Sequence, residues 1–303
     1  MIARVRVFYP DIEEMPLPQG HRFPASKYRL RRAAILDQAI LPAHALLPSP
    51  LASREDLLRA HAAEYVDAVF DGTLDQDIVR RIGLPWSPAL ARRSRLTVGG
   101  AIAAARSAME TGLSGQLAGG THHAHRIFGS GFCVFNDLAV AALTLLDEGR
   151  AQRISILDVD VHQGDGNSAI LGPDPRTFVV SLHGAKNFPF RRVPSDLDVE
   201  LPDGAGDRAY LDALVGVCPA IDAFRPDLVL YLSGVDPLRE DRLGRLALSH
   251  EGLGERDRFV FEHCRRRGYP VSIAISGGYA DPITASVAAY ANTFRIARKV
   301  FGF

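Results

Sequence analysis

Two carboxylates and an imidazole alternate along one short stretch of this sequence, where they could bind a metal ion. Asp158, Asp160 and His162 occupy every second position at the end of the apolar run 154–161. Because alternate residues of a β-strand lie on one face, these three side chains are expected to converge. Carboxylates placed in this way repel each other unless a cation lies between them. The alternative is a surface turn or an isolated ion pair, but the tight QGDG turn that follows favours a metal site.

A third metal ligand is expected from Asp236, which follows the apolar run 227–234. In an open α/β sheet, ligands bind beyond the carboxyl ends of the strands, so Asp236 is expected to meet Asp160 and His162 there. These residues would supply one nitrogen and two oxygen ligands and leave a position for water, as in catalytic zinc sites. A metal ion bound there would lower the pKa of water and polarise a carbonyl group.

A pair of adjacent histidines in a glycine-rich segment could supply the proton transfers of a hydrolysis. Metal-assisted hydrolysis needs a base for the water and an acid for the leaving group, and His122 and His123 could provide both. Asp158 and Asp165 are expected behind them, as the carboxylates that fix the imidazole tautomers. The alternative is a loop of solvated histidines, and we assign His125 to that class.

Tyr279 follows the apolar run 271–278 within the sequence SGGYA. Its hydroxyl could donate to an oxyanion opposite the metal, and Gly277 and Gly278 would allow the chain to turn there. A tyrosine in this position is more often a packing residue, but the other polar residues at the strand ends favour the catalytic interpretation.

The elements that must position these groups are predicted by an alternation of apolar runs and helical patterns. Strands are expected at 154–161, 177–182, 227–234 and 271–278. Helices are expected at 137–149 and near 208–223, 254–267 and 283–300. The alternation predicts a mostly parallel sheet flanked by helices on both faces, because continuously apolar strands are typical of sheets that are covered on both sides.

The first hundred residues are expected to form mostly helices and loops, with helical spacing at 53–70 and 94–110 and a strand-like alternation at 1–10. The chain contains no repeat or linker, so we expect one catalytic domain over residues 1–303. The acidic segment 195–207 is expected to be a solvated loop, although it could attract a cationic substrate.

Composition excludes several classes of partner. Lysine plus arginine and aspartate plus glutamate number 35 each, so the formal charge is zero and favours neither nucleic acid nor an anionic membrane. The chain has no apolar run of about 18 residues and no signal-peptide pattern at its start. Cys133, Cys218 and Cys264 are far apart and odd in number, as expected of reduced thiols in a cytoplasmic protein.

Several motifs together resemble the zinc-dependent histone deacetylase superfamily, which includes acetoin-utilisation and acetylpolyamine deacetylases. They are GGTHHA, GFCVFND, DVDVHQGDG, SGVDPLREDRLGRLALS and SGGY, with weaker similarity in HRFPASKYRL and HAAEYVDAV. The resemblance covers most of the chain and is densest at about 119–290. Gln163, where many members have a second histidine, and the SGGY form are most similar to the class IV branch.

The resemblance implies the arginase–deacetylase fold, one Zn²⁺ per chain and a structural K⁺. The implied zinc ligands are Asp160, His162 and Asp236, and the implied catalytic residues are His122, His123, Asp158, Asp165 and Tyr279. The implied potassium ligands are Asp158, Asp160, His162, Ser181 and Leu182, some through backbone carbonyls. The implied walls of the acyl-lysine tunnel are Gly131, Phe132, Phe188, Gly277 and Gly278. The sequence NFPF around Phe188 departs from the glycine-containing form that is usual in the family.

The predicted activity is hydrolysis of an acyl group from a lysine side chain of a protein or peptide, with His123 as the main base. Alternatives are the deacetylation of an acetylpolyamine or another small acylated amine, and a non-catalytic protein that binds acyl-lysine. A binuclear manganese ureohydrolase would need further aspartates, but Gly164 and Leu238 occupy those positions, so one metal is expected. The sequence leaves the substrate, the acyl chain length and the oligomeric state open.

Overall fold

A sheet of parallel strands lies at the centre of the computed structural model, which describes residues 5–303. Within that range eight strands belong to it: β1 Val7–Tyr9, β2 Leu46–Pro48, β3 Leu113–Gln116, β4 Ile154–Asp158, β5 Thr177–Gly184, β6 Leu197–Leu201, β7 Leu228–Leu232 and β8 Val271–Ala274. Their order is β2-β1-β3-β8-β7-β4-β5-β6, and every neighbouring pair is parallel. All strands therefore end at the same edge of the sheet.

Helices cover both faces of the sheet. In the described part of the chain the α-helices are α1 Lys27–Asp37, α2 Arg54–Leu58, α3 Ala63–Asp71, α4 Gln76–Ile82, α5 Pro88–Thr111, α6 Asp137–Asp147, α7 Asp165–Leu171, α8 Asp207–Phe224, α9 His250–Arg267 and α10 Ile283–Phe301. A short 3₁₀ helix at Ala43–Ala45 precedes β2. Residues 5–303 thus form one α/β domain, as the alternation of patterns predicted.

The two faces of the sheet contribute to two separate hydrophobic cores. In β7, Val229 and Tyr231 pack with α1, α8, α9 and α10, whereas Leu228, Leu230 and Leu232 pack with α3, α5 and α6. This two-residue alternation of fully buried side chains follows from the pleat of the strand. Burial on both faces explains why the central strands are continuously apolar in the sequence.

The predicted central strands and the predicted helices α6, α8, α9 and α10 are present, with end points that differ by a few residues, whereas α7 was not predicted. The predicted helix 53–70 is instead two helices, α2 and α3, separated at residues 59–62. β1 falls within the strand-like alternation at 1–10, of which residues 1–4 lie outside the described part. β2 and β3, with only three and four residues, were not predicted.

The prediction of a solvated loop at 195–207 is wrong. Leu197–Leu201 forms the edge strand β6, in register with Val180–Gly184 of β5. The acidic residues alternate with Leu197, Val199 and Leu201, so one side of this strand contacts the apolar core while the other faces solvent. Separately, no helix in residues 5–303 is both long and apolar enough to span a bilayer.

Candidate active site

The predicted site residues lie where β4, β7 and β8 end side by side. Backbone pairing continues beyond these strands, because Val159 N–H donates to Leu232 O at 3.1 Å and Val235 N–H donates to Gly277 O at 2.8 Å. These bonds bring the segments 159–165, 233–236 and 275–279 together at the edge of the sheet. The convergence expected from parallel strands is therefore present in the structure.

Asp160, His162 and Asp236 form a buried cluster with potential ligand atoms all within 4.8 Å of one another. His162 Nδ1 lies 2.9 Å from Asp160 Oδ1 and 3.2 Å from Asp236 Oδ2. Backbone N–H groups of Val161 and Gly277 donate to Asp236 Oδ1 and Asp160 Oδ2, at 2.9 and 2.8 Å, and hold both carboxylates in place. Preorganised oxygen and nitrogen donors of this kind suit a Zn²⁺ ion.

Two observations show that this cluster fits a cation. Asp236 Oδ2 is buried and receives no hydrogen bond, a costly state for a carboxylate oxygen unless a cation contacts it. Gly277 leaves the necessary space, since a Cβ atom there would lie 1.8 Å from Asp236 Oδ2 and 2.7 Å from Asp160 Oδ2. Only glycine can bring the backbone this close to the two carboxylates.

The titration of the cluster also reflects its excess of negative charge. Burial lowers the pKa of His162, but its hydrogen bond to Asp160 and the nearby carboxylate of Asp236 outweigh burial and raise the pKa to about 10. Burial and the charge of Asp160 raise the pKa of Asp236 to about 7. Without a metal, a proton on His162 partly neutralises the two carboxylates, and a divalent cation would replace that proton.

The two adjacent histidines lie beside this cluster, each with a carboxylate behind it. His122 Nδ1 donates to Asp158 Oδ2 at 2.7 Å, and His123 Nδ1 donates to Asp165 Oδ1 at 2.6 Å. The centres of the two imidazole rings are 4.1 Å apart, and His122 Nε2 lies 3.8 Å from Asp160 Oδ1. Because each Nδ1 is occupied, each Nε2 remains to exchange a proton with a substrate or water.

The two histidines differ in protonation. Burial lowers the pKa of His122, but the charges of Asp158 and Asp160 outweigh it and raise the pKa to about 9. Burial and the neighbouring His122 lower the pKa of His123 to about 4. These opposite shifts favour a proton on His122 and leave His123 free to accept one, as an acid and a base require.

The loop that carries the histidines is fixed by two helix N-termini. Asp137, the first residue of α6, accepts hydrogen bonds from Gly120 N at 3.0 Å and Thr121 N at 2.8 Å. At the start of α7, Gly166 N donates to His122 O at 2.8 Å. Gly131 follows with φ +53°, and a Cβ there would lie 2.7 Å from the His123 ring. Glycine is therefore required for the chain to pass over the base.

The assignment of His125 to solvated loop histidines is wrong. His125 Nε2 donates to Asp165 Oδ2 at 2.9 Å, so Asp165 accepts one histidine on each carboxylate oxygen. The ring stacks on Phe128 at 4.4 Å, and the side chain is only 14% exposed. His61 Nδ1 donates to the His125 carbonyl at 3.0 Å. The sequence signal that could have indicated this role is the spacing of two residues between His123 and His125, which both contact Asp165.

Tyr279 contributes to a cavity of about 350 Å³ that also exposes His122, His123, Asp160 and His162. Its backbone N–H donates to Asp241 Oδ2 at 2.6 Å, which fixes the residue at the end of β8. Burial and the charges of Asp160 and Asp236 raise the pKa of Tyr279, so its hydroxyl keeps its proton and can donate it.

Aromatic side chains form the wall of this cavity. The Phe188 ring lies 4.8 Å from His123, and the Phe132 ring lies 6.0 Å from Tyr279. Phe132 has φ +67°, a conformation that costs a bulky residue about 1–3 kcal/mol. Its N–H donates to Ile82 O at 2.8 Å at the end of α4, and this bond helps to hold the strained residue in place.

Of the predicted tunnel residues, Gly131, Phe132, Phe188 and Gly277 line the cavity, and Gly278 does not. A Cβ at Gly278 would lie 2.1 Å from the Tyr290 hydroxyl, so this glycine packs against the core behind the site. The prediction for Gly278 is therefore wrong. It placed Gly277 and Gly278 in the same tunnel wall, but the turn directs these consecutive residues to opposite sides.

Lys27 is a buried residue of the site to which sequence reasoning gave no role. Its Nζ donates to Gly278 O at 3.2 Å and lies 4.3 Å from the centre of the Tyr279 ring. Burial and the neighbouring Arg31 lower the pKa of Lys27 to about 7. The signal was present in the segment HRFPASKYRL, which resembles the family and contains this lysine.

The predicted potassium ligands lie on two neighbouring segments. Asp158 and Ser181 are register partners in β4 and β5, and Leu182 follows Ser181. Asp160 and His162 lie just beyond β4, in the metal cluster. Ser181 Oγ lies 3.0 Å from His183 Nδ1. The structure places the five residues near one another, and the ion itself remains a prediction.

The positions that would distinguish a binuclear centre offer no further ligand. Leu238 is buried in the core at 1% exposure, and a Cβ at Gly164 would lie 2.4 Å from Asp158 Oδ2. Across residues 5–303, only Asp160, His162 and Asp236 form a group of three or more side chains spaced to hold a metal. The geometry therefore supports a single metal ion.

Comparison with known proteins agrees with this geometry. Residues 21–294 match the model of the histone deacetylase domain. An uncharacterised protein of Picosynechococcus sp. is 43% identical over 97% of this chain and 98% of its own length. Histone deacetylase 2 of Arabidopsis thaliana is 30% identical, over 92% of this chain and 75% of that protein. The crystal structure of an HDAC homolog from Aquifex aeolicus covers 99% of this chain and 84% of that chain, with a TM-score of 0.81 and 24% identity.

Proposed function

Because this chain belongs to the histone deacetylase family, we propose that it is a zinc-dependent amidohydrolase that removes acetyl or longer acyl groups from lysine side chains. One observation carries the proposal. A buried cluster of two carboxylates and an imidazole, with one carboxylate oxygen lacking a partner, lies beside two histidines that are each hydrogen-bonded to a further carboxylate. The site then contains a metal site, a general base and a general acid, which are the groups that hydrolysis of an amide requires.

Asp160, His162 and Asp236 would hold the zinc ion, which supplies polarisation of the acyl carbonyl and a lower pKa for water. The aliphatic part of the acyl-lysine would lie between Phe132 and Phe188, which line the cavity above the histidines. With an acyl-lysine bound, these aromatic walls would limit the access of solvent and direct the amide towards the polar groups below.

Neutral His123 would take a proton from the attacking water through Nε2, while Asp165 stabilises the resulting imidazolium. His122, whose raised pKa favours its protonated form, would give its Nε2 proton to the nitrogen of the leaving lysine. The Tyr279 hydroxyl would donate a hydrogen bond to the oxygen on which negative charge develops. One water and one amide thus give a carboxylate and an amine, and solvent restores the protons of the two histidines.

Three finer assignments belong to this proposal. We assign a structural K⁺ to the segments around Asp158 and Ser181, and we place the enzyme in the class IV branch. We also propose that it works in the cytoplasm, where its three unpaired cysteines would stay reduced.

The test is hydrolysis of a fluorogenic acetyl-lysine peptide by the protein with and without a strong chelator. We expect the chelator to abolish hydrolysis and equimolar Zn²⁺ to restore it. Asp236→Asn, which keeps the shape of the side chain but removes a ligand charge, should be inactive at every zinc concentration tested. Binding of the peptide without hydrolysis by the zinc-loaded protein would instead favour a non-catalytic acyl-lysine binding protein.

A further inference from the structure

The mouth of the cavity carries four cationic side chains that the proposed reaction does not use. Arg22, Arg81, Lys186 and Arg245 all line the cavity and are exposed. They come from four different segments: the one before α1, the end of α4, the loop after β5 and the loop after β7. The whole chain is formally neutral, so this cationic rim is a local excess of positive charge.

Carboxylates do not balance the rim. Among residues 5–303, Asp160 is the only acidic residue that lines the cavity, and it belongs to the metal cluster at the bottom. Asp203 Oδ2 lies 3.2 Å from Arg245 Nη1 and 3.8 Å from Lys186 Nζ, so one carboxylate serves two cations. The other two cations of the rim have no carboxylate partner among the residues that line the cavity.

These two charges belong to Arg22 and Arg81, which stack on aromatic rings. The Arg22 guanidinium lies 5.0 Å from the centre of the Phe132 ring, and that of Arg81 lies 4.2 Å from Phe128. In the part of the chain that the structure describes, neither has a carboxylate within 4.0 Å. Stacking reduces the freedom of each guanidinium while its charge stays available to a bound molecule.

We propose that this cationic rim selects acyl-lysine peptides with aspartate or glutamate next to the acylated lysine, and disfavours cationic substrates such as acetylated polyamines. The inference rests on the proposed function and names the substrate class of the same site. Complementary charge around a cleft increases encounter rates and discriminates against partners of like charge. Exposed Phe190 and Leu243 also line the cavity and would contact the aliphatic parts of such a peptide.

The acidic segment 195–207 counteracts the rim only through Asp203, which pairs with Lys186 and Arg245. None of its residues lines the cavity. Asp198 accepts from Gln163 Nε2 at 3.1 Å, Glu200 pairs with Arg192, and Asp203 pairs with two rim cations. These contacts occupy Asp198, Glu200 and Asp203 within the fold, so they do not favour the alternative that this segment attracts a cationic substrate.

The test compares three acetyl-lysine peptides that differ only in the two flanking residues, which are glutamate, glutamine or lysine. With the zinc-loaded protein at about 0.02 M salt, we expect kcat/KM for the glutamate peptide to exceed that for the lysine peptide about tenfold, with the glutamine peptide between them. At about 1 M salt the screening length is about 3 Å, so the ratio should fall below about two. Acetylspermidine should be a poorer substrate than the glutamine peptide.

A pair of variants assigns this preference to the rim. Arg22→Gln combined with Arg81→Gln should reduce the glutamate-to-lysine ratio at low salt to about threefold or less. The matched control is Arg208→Gln on α8, whose side chain is 96% exposed and does not line the cavity; it should keep the tenfold ratio. Thermal unfolding of all variants checks that they fold.

Two results would overturn the inference: a ratio at or below one in the wild-type protein at low salt, or an equal loss of preference in the control. If no peptide is hydrolysed, the proposed function fails, and the charge preference of the rim is then tested by binding alone. Fluorescence anisotropy with labelled forms of the same peptides then measures binding, and tighter binding of the glutamate peptide supports the rim while equal binding contradicts it.

Discussion

His125 offers a sharp test of how the site positions its base. Asp165 accepts His123 on one oxygen at 2.6 Å and His125 on the other at 2.9 Å, so both bonds fix the carboxylate. His125→Phe removes the second donor but keeps an aromatic ring to stack on Phe128. His125→Gln keeps an N–H donor at a similar distance from the backbone, and it serves as the conservative control for His125→Phe.

The magnitude follows from the environment of this bond. A hydrogen bond to a charged group contributes about 1.5–3 kcal/mol, and partial exposure of His125 reduces this to about 1–2 kcal/mol. We expect His125→Phe to lower the free energy of unfolding by that amount. We also expect kcat/KM to fall about five- to thirtyfold, because a less constrained Asp165 orients His123 less well.

The pH dependence separates this role from general packing. Burial opposes ionisation of Asp165, but hydrogen bonds from His123 and His125 outweigh it and hold its pKa well below the usual range. A depressed carboxyl pKa stabilises the fold at neutral pH, and this contribution is lost as the pH falls through the folded-state pKa. Because His125→Phe raises that pKa, the stability difference from wild type should be full at pH 7 and shrink below about pH 4.

The assays are urea unfolding between pH 3 and 7 and kcat/KM on an acetyl-lysine peptide at pH 7. His125→Gln should retain at least about half of the wild-type kcat/KM, and the exposed His250→Gln should match wild type in both assays. The positioning role of His125 is refuted if kcat/KM of His125→Phe stays within twofold of wild type, or if His125→Gln loses as much activity as His125→Phe.

Three further predictions concern the catalytic and metal-binding groups. Tyr279→Phe should reduce kcat at least about a hundredfold with little change in thermal stability, because it removes one donor to the oxyanion; full activity would exclude the hydroxyl from the mechanism. Gly277→Ala should lower zinc affinity, measured by competition with a chromophoric chelator, since its Cβ would lie 1.8 Å from Asp236 Oδ2, and unchanged affinity would contradict the structure. The apparent zinc affinity should rise at least about tenfold per pH unit between pH 6 and 8, because the ion must displace the proton of His162, whose pKa is about 10; a pH-independent affinity would show that this proton is absent.

The central part of the fold could be predicted because its pattern is local. Strands buried on both faces are continuously apolar, so β4, β5, β7 and β8 were evident, and their polar ends marked the metal cluster. β2 and β3 are too short for a periodic pattern, and β6 is an edge strand with acidic residues on its solvent side. Such strands are recognised only by their partners across the sheet.

The part of the site that was missed depends on contacts between distant segments. Lys27 is 251 residues from Gly278, to which it donates, and no local pattern indicates that bond. The cationic rim likewise combines single residues from four segments that are unremarkable alone. His125 was misassigned because a histidine in a loop is usually solvated, and only the position of Asp165 shows otherwise.

The most direct test of the central claim is a crystal structure of the zinc-loaded protein with anomalous data collected on both sides of the zinc absorption edge. We predict one zinc peak per chain, within about 2.3 Å of donor atoms of Asp160, His162 and Asp236. A second zinc ion in the same site, or a site in which these three residues do not share one ion, would contradict a hydrolase with a single catalytic zinc.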